Sequence, residues 1–223
     1  MGMGNEIRNR MAKRAAKEIQ HGMIVNLGIG IPSLIPNYIP KDRHVMIHAE
    51  NGLLGIGPYP KSGEEDAYLC DAAGIPVTIQ DGGSYFDSSM AFAIIRRGKI
   101  DLSIIGSLQV SEQGDLANWI VPGKRVPGIG GAMDLAQKAR KLIVVMNFAN
   151  KNGESKIVPK CTLPLTAEKC VDMIITERAV FERKENRLVL TEVFYPYSIS
   201  EIVNALLPIN LAVSEKVKLV HIE

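Results

Sequence analysis

One carboxylate stands where this chain could do chemistry. Glu50 lies in His48-Ala49-Glu50-Asn51-Gly52-Leu53-Leu54-Gly55-Ile56-Gly57-Pro58-Tyr59-Pro60, directly after the apolar run Val45-Met46-Ile47. An acid at the end of a buried strand can act as a general acid/base or as a nucleophile, and the residues alone leave both roles open. Asn51-Gly52 is by itself a hairpin signal. Gly55, Gly57, Pro58 and Pro60 would interrupt a returning strand, so the stretch reads as a site loop rather than a hairpin. Other chemistries lack their residues. His44 and His48 have an i, i+4 spacing that on a strand puts them roughly 13 Å apart, too far to share a metal ion. With His21 and His221 the only other histidines, and with no G-x-S-x-G or Walker pattern, a His-based triad and a P-loop have no setting, and no metal site is expected.

Two glycine turns could serve such an acid. Gly28-Ile29-Gly30-Ile31-Pro32 follows the strand-like run Met23–Leu27 and leads into a short helix with Pro32 near its start. Ser33 stands where a dinucleotide fingerprint needs its third glycine, so close packing of strand, turn and helix is the better reading. Gly128-Ile129-Gly130-Gly131 closes a long stretch of weak periodicity, from Ser107 to Asp134. Adjacent glycines there would let a backbone N–H approach a bound group without side-chain hindrance.

The elements that must position these residues alternate. A helix is expected over Asn5–His21, where Ile7, Met11, Ala15 and Ile19 recur every four residues and Gly22 supplies the stop. Strands are expected at 23–27, 45–47, 76–79, 100–106 and 142–146. Helices are expected at 88–97, capped by Asp87 or Ser88 with Met90, Ile94 and Phe92 inward, and at 132–140. Toward the end, Thr166 would cap a helix over 167–175, and 179–181 with 188–190 would form a hairpin. Ser198-Ile199-Ser200-Glu201 is a capping box, and two short strands, 212–213 and 217–222, finish the chain. Alternating strands and helices imply an α/β fold: a single open, mostly parallel twisted sheet flanked by helices, in one domain over residues 1–223.

Composition narrows the partners. A net charge of +2 with scattered Lys and Arg gives no basis for nucleic-acid binding. No apolar run approaches the roughly 18 residues of a membrane span, so no membrane role is expected. Cys70, Cys161 and Cys170 form no C-x-x-C pair. An odd count and the lack of a signal peptide point to the reducing cytoplasm.

The run Glu50–Pro60 resembles the signature of the B subunit of family I coenzyme A transferases, the 3-oxoacid type. The similarity continues in collinear order through Asn26–Gly30, Gly114–Trp119, Pro122-Gly123-Lys124, Gly128–Asp134 and Cys161–Thr166. The resemblance implies the CoA-transferase/ribose-5-phosphate-isomerase-like form of the open sheet. It also implies ping-pong transfer of CoA from an acyl-CoA to a free carboxylic acid, with CoA as substrate and no tightly bound cofactor. In that scheme Glu50 is the nucleophile and the Gly131 N–H an oxyanion donor, while Asn51, Gly52, Gly130, Gly28 and Gly30 shape the CoA-binding site. An A subunit, absent from this chain, would complete an A2B2 assembly. Gly74-Ile75 stands where relatives usually have Gly-Lys, which puts a basic contact of the family in doubt, and Ser88-Ser89-Met90 stands where they have an acidic pair, which suggests acids other than succinate and acetoacetate. Two alternatives are a sugar-phosphate isomerase of related architecture using Glu50 as base and a non-catalytic effector-binding module.

Overall fold

The computed structural model describes residues 4–123 and 128–221. Lys124 of the Pro122-Gly123-Lys124 block and Ile222, the last residue of the strand expected over 217–222, lie outside them. In chain order the elements are α1 (Asn5–Ala16), β1 (Ile24–Leu27), a 3₁₀ helix (Pro32–Tyr38), β2 (Met46–Ala49), β3 (Leu53–Ile56), β4 (Ile79–Tyr85) and α2 (Ser88–Arg96). They continue with β5 (Leu102–Ile105), β6 (Gln109–Ser111), β7 (Leu116–Ala117), α3 (Ala132–Lys138), β8 (Leu142–Val145) and β9 (Ile157–Val158). The last are β10 (Met173–Ile175), β11 (Ala179–Lys184), β12 (Arg187–Phe194), α4 (Ile199–Ala205) and β13 (Ala212–Val220).

Ten strands form one sheet in the order β13-β12-β11-β10-β8-β5-β1-β2-β3-β4. The middle strands β10, β8, β5, β1 and β2 run parallel; β3 and β4 extend the sheet by antiparallel pairs on one side, and on the other β11 and β12 pair antiparallel before β13 joins β12 in parallel. The sheet is therefore the expected α/β one, parallel where the site lies. Every residue of β5 and β8 is buried, as strands covered on both faces must be. Alternation divides them between two cores. Ile143, Val145, Met173 and Ile175 pack with Met11, Ala15 and Ile19, while Leu142, Val144 and Ile174 pack with Phe148, Phe181 and Ile202 on the other face. Each such side chain contributes about 1.5–3 kcal/mol of burial free energy at most.

Several expectations need correction. The stretch at Glu50 is a hairpin after all: β2 and β3 pair antiparallel, His48 with Leu54 and Ala49 with Leu53. The glycines read as strand breakers allow close sheet contact instead, since a Cβ on Gly55 would lie 2.8 Å from the Gly83 Cα of β4. Pro76–Thr78 is not in a strand; β4 begins at Ile79 and runs through Gly82 and Gly83. In α2 the Asp87 carboxylate does cap, accepting from the Met90 N–H, but Ala91 and Ile95 face inward and Met90 is exposed. The helix expected over 167–175 does not form. The Thr166 hydroxyl donates to Asn118 Oδ1 at 2.6 Å instead of capping, and Met173-Ile174-Ile175 extend beside β8. Part of the aperiodic stretch after Ser107 folds as β6 and β7, which join β9 in a small separate sheet. α1 stops at Ala16 rather than His21, and the two terminal strands are one, β13. The hairpin of β11 and β12 and the Ser198 capping box form as expected.

Candidate active site

A cavity of about 810 Å³ opens beyond the carboxyl ends of the parallel strands, where ligands enter open α/β sheets. β1 and its turn supply Asn26 and Gly28; β2 supplies His48 and leads into Glu50; β5 leads into Gly106 and Ser107. Gly130 and Gly131 close it at the start of α3. Apart from His48, the titratable side chains lining it among the described residues are the acids Glu50 and Asp71 and the phenol Tyr59.

Glu50 is half-buried in the turn after β2, and its two carboxylate oxygens have different surroundings. Asn26, paired with His48 in the parallel register of β1 and β2, donates from Nδ2 to Glu50 Oε2 at 3.0 Å. The same amide donates to the His48 carbonyl at 3.1 Å, so a strand residue fixes the acid against its own backbone. Oε1 lies against the glycine turn. A Cβ on Gly131 would meet Glu50 Oε1 and Cγ at 3.5 Å and Phe92 Cζ at 3.4 Å. The Gly131 backbone is buried with φ of −81°, so close approach, not an unusual dihedral, defines this position.

Beneath the acid, Ser103, Asn26 and His48 stand side by side across β5, β1 and β2. All three are buried, and the His48 Nε2 and Ser103 Oγ atoms have no hydrogen-bond partner among the described residues. Burial pushes the His48 imidazole below its usual value, opposed by the Glu50 charge and by the Ala91 backbone. Its ring stacks on Phe86 with centroids 6.3 Å apart. Behind the cavity wall, the Lys156 ammonium donates to the Ser107 carbonyl at 2.5 Å; burial lowers it to about 8, against the pull of Glu177.

The other residues singled out in the sequence divide into two groups. Asn51 and Gly130 line the cavity, and Asn51 Nδ2 also donates to the Cys70 carbonyl at 2.8 Å. Gly28 lines it too while packing tightly on β5, donating to the Ile104 carbonyl at 2.8 Å. Gly52 and Gly30 are not among the lining residues. Gly52, with φ of +119°, forms the hairpin turn, and its carbonyl accepts from the Phe86 N–H; the Gly30 carbonyl accepts from the Ser33 hydroxyl. Ile75 lies on the wall, and Ser88, Ser89 and Met90 form the first turn of α2. Asn26 escaped the sequence reading as a site residue. Its signal was present, a lone amide inside the apolar run Met23–Leu27.

Residues 8–205 match the family model described as coenzyme A transferase. The probable beta subunit of a coenzyme A transferase from Bacillus subtilis (strain 168) is 59% identical over 202 residues, covering 91% of this chain and 93% of that protein. The probable B subunit of a succinyl-CoA:3-ketoacid coenzyme A transferase from the same strain is 54% identical over 197 residues, 88% of this chain and 91% of that one. Among solved structures, the E. coli O157:H7 acyl-CoA transferase YdiF in its thioester complex with CoA superposes with a TM-score of 0.74 at 20% identity. That likeness of fold covers 99% of this chain and 44% of the YdiF chain.

Proposed function

The chain belongs to the coenzyme A transferase family, and from that premise we propose that it is the B subunit of an enzyme moving CoA from an acyl-CoA to a free carboxylic acid. One observation carries the reading: Glu50, its Oε2 held by Asn26 and its Oε1 against the Gly131 backbone, sits in a cavity at the sheet's carboxyl edge. A carboxylate clamped on one oxygen keeps the other free for attack, and fixed orientation of this kind contributes several kcal/mol to bimolecular steps.

The reaction runs in two halves. A Glu50 oxygen adds to the thioester carbonyl; collapse of the tetrahedral oxyanion breaks the C–S bond, leaving a mixed acyl-glutamyl anhydride and CoA thiolate. The thiolate adds to the glutamyl carbonyl and expels the donor carboxylate, which carries away one glutamate oxygen. The acceptor acid then reverses these steps on the glutamyl-CoA thioester. Each addition puts negative charge on a carbonyl oxygen, and the Gly131 N–H supplies a preorganised donor; such a donor is typically worth about 3 kcal/mol. Gly28, Gly130 and Asn51 shape the passage for CoA, which is the substrate. Gly52 and Gly30 support their turns.

The names of the two Bacillus relatives, each one subunit of a transferase, support a partner A subunit, and we assign the assembly as A2B2 with residues 1–223 as one B unit. The three free cysteines fit a reducing compartment such as the cytoplasm. No helix among the described residues is long and apolar enough to cross a membrane. A sugar-phosphate isomerase gains no support, because no Lys or Arg among the described residues lines the cavity to hold a phosphate.

Oxygen tracing tests the scheme. With an acceptor acid labelled with oxygen-18 in its carboxylate, the assembled enzyme is expected to pass label through Glu50 into the acid released from the donor. Unlabelled donor acid after several turnovers would overturn the anhydride route.

A further inference from the structure

The cavity wall formed by residues 70–77 bears on which acids the enzyme takes. Asn51, the residue after Glu50, donates to the Cys70 carbonyl at 2.8 Å, so this wall hangs directly on the reactive turn. Asp71 closes the loop on itself. Its Oδ1 accepts from the Ala73 and Ile75 N–H groups at 2.8 and 2.9 Å, and its own N–H donates to the Ile75 carbonyl at 2.9 Å. The result is a compact turn that presents Asp71, Ala72, Ala73 and Ile75 to the cavity.

Two properties of the cavity lining as a whole matter. First, it is apolar where it is open: Ile29, Tyr59 and Ile75 are 70%, 42% and 39% exposed, and all three line the cavity. Large apolar side chains left uncovered around a concave site mark a surface that gains from being covered by an apolar group. Second, the charge it carries is negative. Asp71 and Glu50 are the acids on the lining, no Lys or Arg among the described residues joins them there, and Lys156 is held behind the wall by the Ser107 carbonyl. A second carboxylate on a bound acyl chain would enter the field of both acids with no described cation on the wall to meet it.

We propose that the acyl group handled beside Glu50 is that of a monocarboxylic acid with an uncharged, apolar tail, and that Asp71 and Ile75 are the residues that reject dicarboxylic acids. This rests on the CoA-transfer reading above.

Butyryl-CoA and succinyl-CoA differ at the far end of a four-carbon chain, a methyl against a carboxylate, which makes them the discriminating probes. Each is mixed with the chain assembled with its A subunit, and the rate of CoA loading on Glu50 is followed by intact mass. Butyryl-CoA is expected to load faster by about tenfold or more. Asp71→Asn keeps the Oδ1 acceptor of the turn while removing its charge, and Ile75→Lys adds a cation at an exposed position. Either variant is expected to narrow the butyryl-to-succinyl ratio, and both together by about tenfold. Equal or faster loading by succinyl-CoA, or a ratio unmoved in variants whose melting matches wild type, overturns the selectivity alone. Loading by neither probe would overturn the transfer reading and this inference with it.

Discussion

Asn26 Nδ2 donates to Glu50 Oε2 at 3.0 Å while also donating to the His48 carbonyl at 3.1 Å. One amide in the middle of β1 thus ties Glu50 to the strand that carries it. Asn26→Ala leaves the His48 carbonyl without this donor, for a loss of about 1–3 kcal/mol in stability. It also frees Glu50 to reorient, so kcat is expected to fall by about ten- to a hundredfold. Denaturant titration and steady-state kinetics on the assembled enzyme check both. Unchanged kcat would show that the clamp is not needed.

Two glycines separate packing from chemistry. A Cβ on Gly52 would lie 1.9 Å from the Phe86 carbonyl oxygen at a φ of +119°. Gly52→Ala is therefore expected to cost about 2–5 kcal/mol of stability, read as a lower denaturation midpoint. At Gly131 the φ of −81° suits alanine and the added methyl would make contacts of 3.4–3.5 Å, so the fold should hold to within about 1 kcal/mol. That methyl would stand against Glu50 Oε1, where the proposed scheme brings the substrate carbonyl, and turnover should drop by about tenfold or more. Equal loss of stability in both variants would contradict this division.

The buried imidazole of His48 sets a pH dependence of stability. Burial holds its pKa below the ordinary 6.5, so the unfolded chain takes up a proton before the folded one does. Where the unfolded state binds more protons, stability rises with pH. This contribution is complete above about pH 7 and is lost as the pH falls through 6.5 toward the folded value. His48→Gln should flatten that part of the curve, seen as a smaller drop in urea midpoint between about pH 7.5 and 5.5. A slope equal to wild type would remove His48 as its source.

The thiols should react unequally. Burial pushes Cys170 up to about 12 and Cys161 up to about 11, the nearby Asp115 carboxylate adding to both shifts. Because the thiolate is the reactive form, iodoacetamide at about pH 7.5 should alkylate Cys70 about tenfold or more ahead of either. Peptide mapping by mass spectrometry reads the order, and early labelling of Cys170 would contradict the upward shift of its thiol.

The sequence is most legible where the forces are local. The strands Leu102–Ile105, apolar apart from Ser103, and Leu142–Val145, apolar throughout, announce a buried parallel sheet, and the Ser198 capping box forms because its partners lie three residues apart. Thr166 misled because its partner is Asn118, 48 residues away. The Glu50 hairpin was hidden for a related reason: Gly55 reads as an interruption until β4 brings Gly83 against it. The placement of Glu50 just past the end of a parallel strand was legible from its setting. Its clamp was not, since Asn26 becomes a neighbour of Glu50 only when β1 and β2 pair.

The most direct test of nucleophilic catalysis by Glu50 is the mass of this chain after the assembled enzyme meets an acyl-CoA with no acceptor acid present. A nucleophilic Glu50 predicts a gain of one CoA less one water, mapped to the peptide containing Glu50 and missing in a folded Glu50→Gln variant. An unmodified wild-type chain in an enzyme that turns over, or an adduct on any other residue, would contradict it.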